Sequence, residues 1–137
     1  VLQHWGTEVI RDGFHDDMWI ASLENKLRTS KDDIVISDCR FPNEIKSIRN
    51  AGGIVIRVVR GDEPEWYEHA LAVNKGPRHI GWALSKDRMQ KYNIHYSETA
   101  WVGTKFNYVL DNNASLDDLY QQVRDVISQE QDRLASI

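Results

Sequence analysis

Cysteine and proline are scarce in this sequence, with one and three copies respectively, and long apolar runs are missing. A single cysteine cannot form an internal disulfide, which indicates a reducing, cytoplasmic setting. No apolar run approaches the roughly 20 residues that span a membrane, and no signal peptide is visible, so no membrane partner is expected. The net charge of −4 argues against a general nucleic-acid or membrane surface.

The length of 137 residues and a hydrophobic content of 41% predict one globular domain over 1–137 with its own core. A less regular stretch at about 61–94 is predicted to be an insertion in that domain. The sequence begins with Val1 rather than methionine. We therefore expect a fragment, a processed product or a sequence recorded without its true start.

Residues 30–60 have the pattern of a β-α-β unit, which predicts an α/β fold with a mostly parallel sheet. The β-branched run 34–36 predicts a buried strand, and a helix over 42–51 is followed by a second strand at 54–59. Parallel sheets bind ligands at the carboxyl ends of their strands. The polar residues at those ends are Asp38, Arg40, Asn43, Glu44 and Arg60.

Helices are expected on both sides of this unit. Residues 1–28 are predicted to be helical with a break, and Asp16 or Asp17 is the expected cap. A third strand is predicted at 106–110, and Ser115 is predicted to cap a long final helix with Asp118. The apolar side chains expected to face the core are Trp19, Ile20, Leu23 and Leu27 in the first helix, and Leu116, Leu119, Val123, Val126 and Ile127 in the last.

Polar side chains mark one face of the first helical segment. Gln3, Thr7 and Arg11 follow one another at four-residue steps, so a helix presents them along one side as hydrogen-bond donors. The alternative is an ordinary solvated face, and the pattern alone does not decide between the two.

Positive charge is concentrated between residues 75 and 91, in a chain that is negative as a whole. A mobile flap with clustered Lys and Arg can close over an anion such as phosphate. A solvated surface insertion explains the same composition equally well. The basic residues are Lys75, Arg78, Lys86, Arg88 and Lys91, against one acid, Asp87.

Asp38 and Arg40 follow the predicted strand at 34–36. An Asp at a strand end can hold Mg²⁺ or its water shell in a phosphoryl-transfer site. An Arg two residues later lies on the same side of an extended backbone and can clamp a phosphate with its planar fork. A structural ion pair remains the alternative interpretation of this spacing.

Four segments together resemble the phage-type deoxynucleoside monophosphate kinase family, a branch of the P-loop kinases. They follow the family's order over nearly the whole chain. They are an LQ-x-x-GTE-x-x-R element at 2–11, a D-x-RF-x-NE…GG element at 38–53, an H-x-SE element at 95–98, and a strand, Asn turn and helix at 108–119.

The resemblance implies a three-layer α/β/α fold of the P-loop type and an enzyme that transfers the γ-phosphoryl group of ATP to a deoxynucleoside monophosphate (dNMP). Mg²⁺ is the implied cofactor, and ATP and dNMP are the implied ligands. A phage-encoded protein of this family is expected in the host cytoplasm, and a homodimer is an expected assembly.

The resemblance also implies roles for single residues. Asp38 lies near the metal and the phosphates in this interpretation, and Asn112 lies by the base of the donor nucleotide. The residues assigned to the acceptor pocket are Gln3, Thr7, Arg11, Arg40, Asn43 and Glu44. The lid residues are Arg78, Lys86 and Arg88, and those assigned to catalysis are Asp38, Arg40, Arg78 and Arg88.

One element of the family is missing from these residues, because no G-x-x-x-x-G-K-[ST] motif occurs in them. This loop supplies the phosphate cradle in P-loop enzymes. We therefore expect the first strand and the P-loop to be absent, and the 137 residues alone to be inactive. The alternatives are a kinase-like module that binds nucleotide or protein without catalysis, and an unrelated α/β nucleotide hydrolase.

Overall fold

The computed structural model describes residues 4–13, 15 and 17–136, the first three of them as backbone only. The predictions made for Gln3 and for a cap at Asp16 fall outside these residues. The elements in order are a π-helix (His4–Asp12), α1 (Met18–Thr29), α2 (Pro42–Asn50), β1 (Ile56–Val59), α3 (Tyr67–Asn74), α4 (Trp82–Tyr92), a 3₁₀ turn (Tyr96–Glu98), β2 (Tyr108–Asp111) and α5 (Leu116–Ala135).

These elements form two compact units. The first unit comprises Val1–Gly53 and Pro64–Thr104, and the second comprises Ile54–Glu63 and Lys105–Ile137. Helices dominate the first unit, whereas the second combines a small parallel sheet with a long helix. This content agrees with the predicted α/β class.

In the second unit, β1 and β2 pair in parallel, with Ile56 opposite Tyr108 and Val59 opposite Asp111. Asn107 sets this register, because its backbone N–H donates to Val55 O at 2.8 Å and its side-chain Oδ1 accepts the Val55 N–H at 2.9 Å. The two strands expected over 54–59 and 106–110 are therefore present, with each strand starting two residues later than predicted.

The strand predicted at 34–36 is wrong. Residues 30–41 form neither helix nor strand, and Val35 is 93% exposed. A strand exists only where a neighbour completes its hydrogen-bond ladder. Over the described ranges, β1 and β2 pair with each other and leave 34–36 outside the sheet. The β-α-β unit therefore lacks its first strand.

The helix predicted over 42–51 is confirmed as α2. Pro42 occupies the first helical position, where its missing N–H costs no hydrogen bond. Gly52, with φ of +85°, follows the helix in the left-handed conformation that glycine adopts without strain. On its inner face α2 buries Ile45 and Ser47, and the Ser47 hydroxyl donates to Glu24 of α1 at 2.9 Å.

The apolar stripe predicted for the first helix is confirmed only in part. Ile20 of α1 is buried, and Leu23 and Leu27 are half-buried, but Trp19 is 44% exposed.

The stretch at 61–94 that was predicted to be an insertion contains two helices, α3 and α4. The helices α3 and α4 pack on each other, with Ala70 and Ser85 buried between neighbouring side chains. Asn74 joins α3 to the segment that follows the 3₁₀ turn, because its side-chain amide donates to Thr99 O at 2.8 Å and to Val102 O at 3.0 Å.

The long helix α5 begins where predicted. The Ser115 hydroxyl accepts the Asp118 N–H at 3.2 Å, and the Asp118 carboxylate accepts the Ser115 N–H at 3.1 Å, which is a reciprocal capping box. The predicted buried stripe is mostly wrong, because Val126 is buried and Leu119 half-buried, while the other three side chains are exposed. Two strands of four residues offer too little surface to cover a helix of 20 residues.

Among the helices of the described residues, none combines the length and the low polarity that crossing a bilayer requires.

Candidate active site

The turn that leads into α2 is held by Glu44. One carboxylate oxygen of Glu44, Oε2, accepts the backbone N–H groups of Arg40 at 2.9 Å and of Phe41 at 3.1 Å. Anionic side chains are favourable in the first turn of a helix, where N–H groups lack helical partners. Glu44 thereby fixes the backbone of residues 40–44, which we call the acceptor corner.

Arg11 of the π-helix is locked against this corner. Its Nη2 lies 2.5 Å from Glu44 Oε1, and its Nη1 donates to Asn43 Oδ1 at 3.1 Å. The guanidinium carbon lies 3.9 Å from the centre of the Phe41 ring. The Arg11 side chain is only 3% exposed, so its charge is compensated inside the protein rather than offered to solvent.

Arg40 occupies a different environment. Its Nη1 donates to Glu98 Oε1 at 2.6 Å, and the two side chains are 41% and 43% exposed. Within the described ranges, Glu98 is the only hydrogen-bond partner of this guanidinium. The remaining donors of the planar fork, Nε and Nη2, are therefore available to a ligand.

The 3₁₀ turn that carries Glu98 is tied to the π-helix. The Tyr96 hydroxyl contacts both carboxylate oxygens of Asp12 at 3.0 Å, and His95 Nε2 lies 3.3 Å from Glu8 Oε1. Ser97 at the centre of the turn is 1% exposed. These contacts set the turn, the π-helix and the acceptor corner in one arrangement within the first unit.

A pocket of about 140 Å³ opens beside the acceptor corner. Apolar side chains form most of its wall, and Asp38 and Glu44 supply carboxylates. Burial raises the pKa of the Cys39 thiol to about 11, and the negative charges of Glu44 and Asp38 add to the effect. Cys39 is therefore a neutral thiol at physiological pH and not a nucleophile. The lining residues are Leu23, Ile36, Asp38, Cys39, Glu44 and Ile48.

The residues predicted for the acceptor pocket are brought together only in part. Arg11, Asn43 and Glu44 contact one another directly, and Arg40 joins them through the Glu44 carboxylate. Thr7 lies on the π-helix but is 5% exposed. Gln3 lies outside the described residues.

The predicted lid residues lie elsewhere in the first unit. Arg78 is in the loop between α3 and α4, and Lys86 and Arg88 are on α4, all three exposed. Within the described part of the chain, no hydrogen bond or ion pair joins them to Arg11 or Arg40. Asn112 belongs to the second unit, where its backbone N–H donates to Val59 O at 2.8 Å.

Reasoning from the sequence assigned no role to Glu98. The H-x-SE element contained the residue, but 58 positions separate it from Arg40. Asp12 and Tyr96 were missed for the same reason, since they lie 84 positions apart. Only the folded chain shows which of several exposed acids meets a given arginine.

The sequence model of deoxynucleotide monophosphate kinase matches residues 1–76, more than half of the chain. The matched part contains Arg11 and the acceptor corner, whereas Glu98 lies beyond it. No curated protein and no solved structure gives a significant match. With Arg11, the acceptor corner and its pocket all inside the matched residues, the chain belongs to the deoxynucleotide monophosphate kinase family.

Proposed function

We propose that this chain supplies the acceptor side of a deoxynucleoside monophosphate kinase, which transfers the γ-phosphoryl group of ATP to a dNMP and gives the diphosphate. The observation that carries the proposal is the half-exposed guanidinium of Arg40, held by Glu98 through one nitrogen at 2.6 Å. A planar fork with open donors matches the oxygens of a phosphate monoester. Family membership supports the reaction class.

The buried residues of the corner act as its support. Both terminal nitrogens of Arg11 are already bonded to Glu44 and Asn43, and the Phe41 ring covers one face of its guanidinium. A dNMP phosphate that displaced these contacts would leave the Glu44 carboxylate without its charge partner. Arg40 is therefore the phosphate-binding residue, and Arg11 holds the corner in shape.

Asp38 is suited to hold Mg²⁺ indirectly, through the water shell of the metal. It is exposed at the edge of the pocket and makes no hydrogen bond or ion pair with other described residues. In the same residues, no group of three or more metal-binding side chains is present. Mg²⁺ at phosphate sites keeps several waters and uses one or two carboxylates, which a single accessible Asp satisfies. The metal, when bound, neutralises charge on the phosphates.

The loop and helix α4 supply positive charge for a lid. Arg78 and Arg88 are exposed and lack ion pairs with other described residues, so their charges are available to phosphate. Lys86 lies with its ammonium 4.9 Å from the centre of the Trp82 ring. Closure of such a lid neutralises the charge of the transferring group and excludes water.

The proposal also includes the binding of ATP in a three-layer P-loop fold, with Asn112 near the base of the donor nucleotide.

The test compares the chain with its Arg40→Ala variant. Each of the four dNMPs is titrated into the protein by calorimetry, and formation of diphosphate is followed in a coupled assay. Loss of one such charge-stabilising contact typically costs about 10²–10³ in rate, so the variant is expected to lose dNMP binding and any turnover. Lys46→Ala is the matched control, because Lys46 is an exposed cation on α2.

Each outcome has a definite meaning. Binding with turnover that depends on Arg40 supports the kinase. Binding of dNMP that depends on Arg40 but gives no turnover still supports the acceptor side, because these residues contain no phosphate-cradle motif, and it fits a kinase-like binding module equally well. Unchanged affinity and rate in Arg40→Ala would remove Arg40 from the site and overturn the proposal. Circular dichroism of the variant separates loss of binding from loss of folding.

A further inference from the structure

We infer that Glu98 is a positioning residue, which orients the guanidinium of Arg40 toward the acceptor phosphate. The inference rests on the proposed function only for its ligand, the phosphate of a dNMP. The orientation of Arg40 by Glu98 is a property of this chain alone. Glu98 lies beyond the residues that the family model matches, so nothing in that match assigns it a role.

The contact between the two residues holds Arg40 through one nitrogen and leaves the other donors of its guanidinium for a ligand. Nη1 of Arg40 meets Glu98 Oε1 at 2.6 Å, and no second nitrogen of the guanidinium has a partner within the described ranges. Because the guanidinium is planar, an arginine held through Nη1 keeps its other donors, Nε and Nη2, in a fixed direction. The Arg40 side chain is 41% exposed, so a ligand in solution can reach it.

Glu98 can direct Arg40 because its own backbone is fixed. The indole N–H of Trp101 donates to Glu98 O at 2.8 Å, and the neighbouring residues Ser97 and Thr99 are 1% and 6% exposed. Tyr96 is anchored to Asp12 through its hydroxyl at 3.0 Å. The Glu98 carboxylate therefore projects from a rigid turn, as expected of a group that supports a binding residue.

Stability does not explain this ion pair. Both side chains are more than two-fifths exposed, and pairs of this kind contribute little to the free energy of unfolding. Orientation does explain it, because a free arginine loses considerable rotamer freedom when it binds a ligand. A partner that fixes the side chain beforehand lowers that cost on binding.

The experiment has one readout without ligand and one with ligand. The first is the NMR order parameter of the Arg40 Nε–H bond in the free chain, compared with Glu98→Ala and Glu98→Gln. We expect the order parameter to fall in Glu98→Ala and to fall less in Glu98→Gln, since a glutamine oxygen still accepts the hydrogen bond. Glu65→Ala, which removes an exposed loop carboxylate, is the control and should change nothing.

The second readout is calorimetric titration with a dNMP and with the matching deoxynucleoside. Glu98→Ala is expected to weaken dNMP binding roughly tenfold and to leave the deoxynucleoside unaffected, because only the phosphate meets Arg40. In an Arg40→Ala background, the same substitution should have no further effect.

The two readouts separate the two proposals. A lower order parameter in Glu98→Ala with no dNMP binding by any form supports the positioning role and overturns the proposed function. An unchanged order parameter overturns the positioning role whatever the titrations show. Unchanged dNMP binding in Glu98→Ala, or tighter binding as expected of a carboxylate that competes with phosphate, also overturns the positioning role and leaves the proposed function standing.

Discussion

Arg11 and Glu44 lie 2.5 Å apart between Nη2 and Oε1, although 33 positions separate them in the sequence. Their side chains are 3% and 16% exposed, so the pair is largely removed from water. Because Glu44 also accepts the N–H groups of Arg40 and Phe41, one carboxylate connects the π-helix to the acceptor corner. The shape of the proposed phosphate site depends on this pair.

Arg11→Ala is expected to lower the free energy of unfolding of the first unit by about 3 kcal/mol, because it leaves the Glu44 carboxylate buried without its partner. Urea unfolding followed by tryptophan fluorescence measures this change. All five tryptophans belong to the first unit, so the signal reports on that unit alone.

Lys46→Ala is the control for that measurement, since it removes an exposed cation from α2. It should change the free energy by less than about 0.5 kcal/mol. Arg11→Lys should recover only part of the loss, because an ammonium cannot reproduce the two-nitrogen contact or the stacking on Phe41. Equal stability of Arg11→Ala and the native chain would refute the structural role of the pair.

Ser115→Ala is expected to destabilise α5 by about 1 kcal/mol, because it removes the side-chain half of the capping box. Hydrogen exchange of the α5 backbone amides measures the loss. Ser128→Ala, at an exposed position within the same helix, is the matched control. It should slightly increase protection, since alanine has the higher helix propensity. Equal protection in the native chain and Ser115→Ala would show that the cap contributes nothing.

The same cap predicts a dependence on pH. The hydroxyl of Ser115, and next its backbone N–H, hold the pKa of Asp118 below its ordinary value of 3.8. A lowered pKa means that the stabilisation is present above the ordinary value and is lost as pH falls through the folded value. The difference between native chain and Ser115→Ala should therefore shrink in acid. A difference that stays constant down to strongly acidic pH would contradict this cause.

Cys39 should react slowly with iodoacetamide at pH 8 and reach half its maximal rate near pH 11, because burial and the nearby acids Glu44 and Asp38 raise its pKa to about 11. The urea-unfolded chain is the control and should titrate near 9.0. Asp38→Asn should lower the midpoint in the folded chain by removing one negative charge. A midpoint near 9.0 in the folded chain would contradict the burial of the thiol.

The raised pKa of Cys39 also makes the free energy of unfolding depend on pH. Between about pH 9 and pH 11 the unfolded chain releases the Cys39 proton while the folded chain retains it, so the free energy of unfolding should fall as pH rises. Cys39→Ser removes this titration, and its stability should change less over the same interval. Urea unfolding of both forms by tryptophan fluorescence measures the difference.

Local chemistry made several parts of the fold predictable. Pro42 and Gly52 mark the two ends of α2, and Ser115 with Asp118 marks the start of α5, because capping involves residues within a few positions of one another. The two strands of the sheet were also predicted, with small errors at their ends. Family membership followed from motifs whose spacing is preserved in the sequence.

The sequence by itself therefore determined the family, most helices and the cluster of charged residues between Asp38 and Glu44. Tertiary structure alone decided the rest. The β-branched run 34–36 forms no strand, because strand formation depends on a neighbour in space. Arg11 is buried by Glu44 while Arg40 stays open beside Glu98, 58 positions away, and pairing over such distances depends on how the helices pack rather than on local sequence.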